Sequence, residues 1–238
     1  MKESGEIRGL IFDFDGTIVD TELPAYQAWQ EIFEEHGCSL PLLEWAQSLG
    51  GGDRGFDPCL HLEMQLGRAL DQTALRERRQ ARKIELLAAE VLLPGVVEYV
   101  EAARRLDLRL AVASSSPRDW VVEHLDRFGL LDFFHSVSCA DDVARVKPDP
   151  ALFERALNLL DLQPEEAIVI EDSPNGITAA KAAGIYCVVV PNALTRELSI
   201  GHADRRLECL LDLPLESLIA IVARERQGGR THGADLIR

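Results

Sequence analysis

Leu10-Ile11-Phe12-Asp13-Phe14-Asp15-Gly16-Thr17 decides the fold of this 238-residue chain: an apolar run ends abruptly in two carboxylates, one residue apart, and a glycine. The apolar part reads as a buried strand. A strand that runs straight into acidic residues points to a site, because buried carboxylates are costly unless paired, hydrogen-bonded or bound to a metal. Gly16 lets the backbone turn sharply or approach a ligand. Taken alone, the stretch is equally well read as a solvated strand end followed by an Asp-Gly turn.

Two later runs end in the same manner. Leu108-Arg109-Leu110-Ala111-Val112-Ala113 stops at Ser114-Ser115-Ser116, and Ala167-Ile168-Val169-Ile170 stops at Glu171-Asp172. Continuous apolar runs mark parallel strands buried on both faces, and in open α/β sheets ligands bind beyond the carboxyl ends of the strands. The three polar tips are therefore expected to converge. Between them, Val146-Lys147-Pro148-Asp149-Pro150 sets a lysine just before a helix, whose start is signalled by Asp149 as N-cap and Pro150 in the first turn. Carboxylates, hydroxyls and a lysine at one edge suit phosphoryl transfer, where a protein chiefly positions groups and neutralises charge. An attacking carboxylate repels a phosphate dianion, so Mg²⁺, a hard cation that prefers oxygen ligands, is the expected cofactor. Judged singly, a structural Lys147 paired with an acid and a Ser114 that merely ends a strand are the commoner situations.

In this order, Asp13 to Asp20, Ala113 to Ser116, Val146 to Pro150 and Glu171-Asp172-Ser173-Pro174-Asn175-Gly176 resemble the four motifs of the haloacid dehalogenase superfamily of phosphohydrolases. They are most similar to the branch that contains β-phosphoglucomutase and its phosphatase relatives. The resemblance implies Asp13 as a nucleophile forming an aspartyl-phosphate, and Asp15 as the acid that protonates the leaving oxygen and later activates water. It implies phosphate binding by Ser114, Ser115 and Lys147, with Thr17 steadying the loop. It further implies a magnesium site made by Asp13, Glu171, Asp172 and the backbone carbonyl of Asp15. Covalent catalysis splits one hard displacement into two steps, and the second step needs a base, which accounts for the second aspartate. Asp15 argues against dehalogenation, since a halide leaves without a proton.

The implied architecture is an α/β fold: a three-layer, Rossmann-like parallel sheet core at residues 1–20 and 94–223, with an inserted α-helical cap at residues 21–93. Leu23, Tyr26, Trp29, Ile32 and Phe33 recur at helical spacing up to Gly37, and a second helical stretch runs from about Leu60 to Ala89. Such caps close over the site, exclude water and select substrate. Gly50-Gly51-Gly52-Asp53-Arg54 reads either as a cap loop presenting Arg54 to substrate or as an exposed turn. From Val96 the chain alternates βα units, and after about Ala223 apolar periodicity is lost, so residues 224–238 are expected to form a flexible tail.

A net charge of −15 disfavours nucleic acid and repels anionic substrates at long range, so binding must come from local positive elements. There is no apolar run long enough for a membrane span and no leader resembling a signal peptide, and a cytoplasmic location is expected. The 5 cysteines are scattered, without a Cys-x-x-Cys pair, and the 6 histidines lack metal-ligand spacing. The leading expectation is a magnesium-dependent phosphatase acting on a small phosphorylated metabolite, of which sugar phosphates are one class, as a monomer or weak dimer. The alternative is a mutase of the β-phosphoglucomutase type. Mutases of that type carry a cap histidine about where this chain has Pro24, and proline offers neither a side-chain proton nor a backbone donor. A catalytically silent phospholigand sensor is a third reading, against which the presence of both Asp13 and Asp15 argues.

Overall fold

The computed structural model describes residues 6–46, 56–88 and 91–231. The glycine-rich stretch Gly50 to Arg54 lies outside the described residues. Strand β1 (Gly9–Phe12) is followed by helices α1 (Glu22–Glu35), α2 (Leu42–Ala46), α3 (Pro58–Leu66) and α4 (Gln72–Leu87). Then come α5 (Val96–Arg105), β2 (Arg109–Ala113), α6 (Arg118–Arg127), β3 (Ser136–Ser138), α7 (Ala151–Leu160), β4 (Ala167–Glu171), α8 (Pro174–Ala182), β5 (Tyr186–Val189), β6 (Arg205–Arg206) and α9 (Leu215–Thr231).

The strands form one parallel sheet in the order β3-β2-β1-β4-β5-β6. The decisive strand β1 is therefore central, with β2 on one side and β4 on the other, and the three expected polar tips end side by side. Period-two alternation divides the strand residues between two cores. Leu10 and Phe12, Leu110 and Val112, and Ile168 and Ile170 face a cluster completed by α5, α6 and α9. Ile11, Ala111, Ala113, Ala167 and Val169 face a second cluster completed by α7 and α8. Both faces are covered, which is why these strands read as unbroken apolar runs.

Between β1 and α5 the chain leaves the sheet and returns beside itself: Val19 bridges Leu92, and the Leu93 N–H donates to the Ile18 carbonyl at 2.9 Å. The helices of this excursion have their own apolar cluster, built on Trp29, Ile32, Phe33, Trp45, Cys59 and Leu62 and joined by Leu194 from the loop after β5. The aromatic stripe read from α1 is thus core.

Three sequence expectations are corrected in detail. The helical stretch from Leu60 to Ala89 is two helices, because Gly67 adopts a left-handed φ of 65° and Asp71 caps a new start by accepting from the Ala74 N–H at 3.0 Å. The helix after the lysine loop begins one residue late: Pro150 takes the N-cap position, while Asp149 accepts from the Ala151 N–H at 3.1 Å. Residues 224–231, expected in a flexible tail, continue α9. There the Tyr186 hydroxyl donates to Glu225 at 2.6 Å, Arg205 pairs with Glu225, and Arg226 donates to the Glu165 carbonyl. Polar docking replaces the apolar stripe that a sequence scan looks for. No described helix is long and apolar enough to cross a membrane.

Candidate active site

Asp13 lies one residue past β1, where its N–H still donates to the Ile170 carbonyl at 2.9 Å, so the sheet itself fixes its backbone. From the loop before α7, the Lys147 ammonium donates to Asp13 Oδ1 and, at 2.7 Å, to Glu171 Oε1. The lysine side chain is 1 % exposed and that of Glu171 0 %, so this pairing is made away from water. Glu171 Oε2 accepts from the Asp172 N–H at 2.8 Å, the Ser173 N–H at 2.9 Å and the Ser173 hydroxyl at 3.1 Å. Both oxygens of Glu171 are occupied, which leaves Asp13 and Asp172 as the carboxylates with more acceptor capacity free. Asn192 donates to Asp172 Oδ2 at 2.7 Å and to the Gly16 carbonyl at 3.4 Å. Gly16 has φ +84°, and a Cβ there would overlap Asp172 and Asn192, so the turn after the acidic pair demands glycine.

Electrostatics separates the groups. Burial pushes the Asp13 carboxyl up to about 7, against the pull of Lys147 and with added repulsion from Glu171. Asp172 is raised well above the ordinary carboxylate range by burial, then by Glu171 and Asp13. Burial opposes the charge of Lys147, but Asp13 and Glu171 outweigh it and keep the ammonium protonated. Oxygens of Asp13, Glu171 and Asp172 lie within 4.8 Å of one another. Three buried carboxylates against one ammonium leave excess negative charge, and an all-oxygen donor set of that kind fits a hard divalent cation.

Asp15 stands apart from that acidic cluster. Its Oδ1 accepts from the Thr21 hydroxyl at 2.6 Å and the Trp120 indole N–H at 3.0 Å. Its Oδ2 accepts from the Ser116 hydroxyl at 2.6 Å and the Ser114 hydroxyl at 3.2 Å. The side chain is therefore not a member of the acidic triplet. Ser114, expected on phosphate, is held against Asp15 and accepts from the Ser116 N–H at 3.0 Å. The hydroxyls of Thr17 and Ser115 are buried without a hydrogen-bond partner among the described residues. Of the residues read from sequence, Asp13, Lys147, Glu171 and Asp172 form one buried network, and Asp15 and Ser114 a second beside it.

Thr21, Trp120 and Asn192 are site residues that the sequence motifs do not mark. Asn192 lies three residues after β5, a strand end of the kind that located the other tips, so it had a usable signal. Trp120 had none: it sits mid-pattern in α6, and only the tertiary fold turns its N–H onto Asp15.

A family model of the haloacid dehalogenase-like hydrolases matches residues 7–184. The chain is 44 % identical over 213 residues to the Bacillus subtilis protein named "Putative phosphatase YhcW", covering 90 % of this chain and 96 % of that one. It is 32 % identical over 204 residues to validoxylamine A 7'-phosphate phosphatase of Streptomyces hygroscopicus, covering 85 % and 94 %. Among solved structures, CbbY of Rhodobacter sphaeroides with bound xylulose-(1,5)bisphosphate superposes with a TM-score of 0.68 at 30 % identity, covering 89 % of this chain and 99 % of that one.

Proposed function

The chain belongs to the haloacid dehalogenase-like hydrolases, and from that membership we propose that it is a magnesium-dependent phosphatase cleaving a phosphate monoester of a small metabolite, in the sugar phosphate class. The observation that carries the reading is the meeting of Asp13, Lys147, Glu171 and Asp172 in one buried network, with Asp15 held separately beside it. Two aspartates in such different settings suit two roles. Relatives named as phosphatases of phosphorylated compounds, including the phosphorylated carbohydrates phosphatase of Thermotoga maritima, support the substrate class.

In this mechanism an oxygen of Asp13 attacks phosphorus and the bond to the leaving oxygen breaks, giving an aspartyl-phosphate. Asp15 donates the proton that the departing alcohol needs. Water then attacks phosphorus while Asp15 takes its proton, and phosphate leaves with Asp13 restored. Lys147 offsets charge on Asp13 and on the phosphoryl oxygens; the partnerless hydroxyls of Thr17 and Ser115 offer donors to those oxygens, and Ser114 joins them by releasing the proton it gives to Asp15. Asp13, Glu171, Asp172 and the Asp15 backbone carbonyl would hold Mg²⁺, Glu171 also anchoring Lys147. When bound, the ion withdraws charge from the phosphate and lets an anionic nucleophile approach. The helices between Thr21 and Leu93 act as a cap over this edge.

A test is phosphate release from a panel of phosphorylated metabolites with and without Mg²⁺, in the wild type and in Asp13→Asn. Metal-dependent turnover, lost in the variant by a factor on the order of 10³ or more, is expected. Full turnover by Asp13→Asn, with reversion to the acid excluded, would remove the nucleophile. Pro24, buried in α1, weighs against the mutase alternative. With β-glucose 1-phosphate, free phosphate rather than glucose 6-phosphate is the expected product.

A further inference from the structure

Helix α4 carries Arg76, Arg78, Arg79, Arg82 and Lys83, and these cations do not have equal fates. Arg76 pairs with Asp57 at 2.6 Å, Arg78 pairs with Glu35, and Arg82 pairs with Glu31 at 2.8 Å and Glu85 at 2.9 Å. Each of these is neutralised inside the helical excursion. Arg79 and Lys83, one turn apart and so on one strip of the helix, make no ion pair among the described residues. The Nε of Arg79 is buried without a hydrogen-bond partner, and its remaining recorded bond is a 3.3 Å contact from Nη1 to Gln80. Lys83 places its ammonium 4.8 Å from the centre of the Trp120 ring. That same ring donates its N–H to Asp15 at 3.0 Å.

Through Lys83 the strip reaches the Trp120 ring that holds Asp15. The charges of Glu22 and Asp15 reach Lys83, and that of Glu22 reaches Arg79, but burial outweighs them and holds both cations below their ordinary pKa values. Glu22 is the one acid of the excursion shared between the two cations, while Asp15 is already satisfied by four donors. Half-buried cations without an ion-pair partner are costly, and an anion supplied from outside would offset that cost. The position says which part of a ligand could supply it. Asp15 serves the leaving oxygen, so groups beside it face the leaving-group half of a substrate and not the phosphoryl group held at Asp13 and Lys147.

We propose that Arg79 and Lys83 bind a second anionic group, a carboxylate or a second phosphate, on the leaving-group portion of the substrate. This rests on the phosphatase reading and narrows its substrate class to phosphate monoesters that carry a second anionic group at their other end.

The test is isothermal titration of full-length Asp13→Asn, in Mg²⁺, with two matched pairs: glucose 6-phosphate against 6-phosphogluconate, and fructose 6-phosphate against fructose 1,6-bisphosphate. At least one doubly anionic member should bind about tenfold more tightly than its partner, as a charge-assisted contact implies. Preference in the first pair alone identifies a carboxylate, and in the second alone a phosphate. Adding Arg79→Gln and Lys83→Gln, which keep helix propensity, should remove the difference, and adding Arg79→Lys and Lys83→Arg instead should keep most of it. Melting curves confirm that each variant is folded. Equal affinities within both pairs, or a difference that survives the double glutamine variant, would overturn the proposal. Failure of the phosphatase reading would show elsewhere, as a wild type that releases no phosphate from any panel member.

Discussion

The indole N–H of Trp120 donates to Asp15 Oδ1 at 3.0 Å, tying α6 to the residue proposed to shuttle protons. With Thr21, Ser114 and Ser116 completing four donors, the position of the Asp15 carboxyl group is fixed before substrate arrives. Preorganisation of this kind lowers a barrier by avoiding rearrangement during reaction. Trp120→Phe keeps an aromatic ring and deletes the donor. It should lower kcat about tenfold, equivalent to about 1.4 kcal/mol, with little change in KM. Steady-state kinetics across pH decide it: a purely structural loss would move the melting temperature and leave the pH profile of the remaining activity unchanged, whereas a mispositioned Asp15 shifts that profile.

Lys147 is the only cation in contact with two carboxylates that are themselves almost without exposure among the described residues. Replacing it by methionine preserves length and removes the charge, leaving Asp13 and Glu171 facing each other. Breaking a buried pair by removing one partner costs about 3–5 kcal/mol. Lys147→Met should therefore lower the unfolding free energy by about that amount in urea titrations. Adding Glu171→Gln to Lys147→Met should recover part of the loss, because it deletes the repulsion. Equal stability of wild type and Lys147→Met would mean that the lysine carries no structural charge balance.

Much of this arrangement is legible in the amino-acid sequence. Apolar runs that stop at Asp13, Ser114 and Glu171 could be read as strands with polar tips because both sheet faces are covered, and β1, β2 and β4 do lie side by side. What escaped reading depends on long-range partners. Trp120 looks like any helix residue until the fold brings α6 to β1. The continuation of α9 past Ala223 rests on Glu225 and Arg226 finding Tyr186, Arg205 and Glu165, and ion pairs leave no period in a sequence. The break at Gly67 has a local signal, a glycine followed by Asp71 as a cap, but the dense Arg, Glu and Ala content around it reads as a helical stretch without marking where it divides.

Gly176, in the first turns of α8, has the Glu171 carboxylate where a side chain would begin: a Cβ there would overlap Oε1, Oε2 and the carbon between them. That carboxylate cannot move aside without giving up Lys147 and three donors from Asp172 and Ser173. Gly176→Ala should destabilise the protein by about 1–3 kcal/mol, the usual cost of overpacking, despite the higher helix propensity of alanine. Chemical denaturation measures this directly. Ala182→Gly, at an exposed position of the same helix, changes helix propensity without a clash or lost packing, so comparing the two variants isolates the overlap.

Metal and proton compete for the same oxygens, and the sign of that competition can be worked out. Asp13 titrates near 7 in the fold, raised first by burial, and Asp172 is raised in the same direction, whereas an unfolded Asp titrates near 3.9. Between those values the folded, metal-free protein binds more protons than the unfolded chain. The contribution of these two groups to stability should therefore be greatest at the acid end of this window and fall as pH rises towards 7. Glu22, pushed up to about 7 by burial and by Asp15, adds to the same slope and also raises Asp172, so Glu22→Gln should flatten the curve and move the onset of the metal response to lower pH. Mg²⁺ stabilises by binding the folded state, and only the deprotonated ligands accept it. The melting-temperature gain from Mg²⁺ should thus be small near pH 5, grow through pH 7, and largely vanish in Asp172→Asn. A gain of the same size at both ends of the range, or one untouched by Asp172→Asn, would place the divalent cation somewhere other than at Asp13 and Asp172.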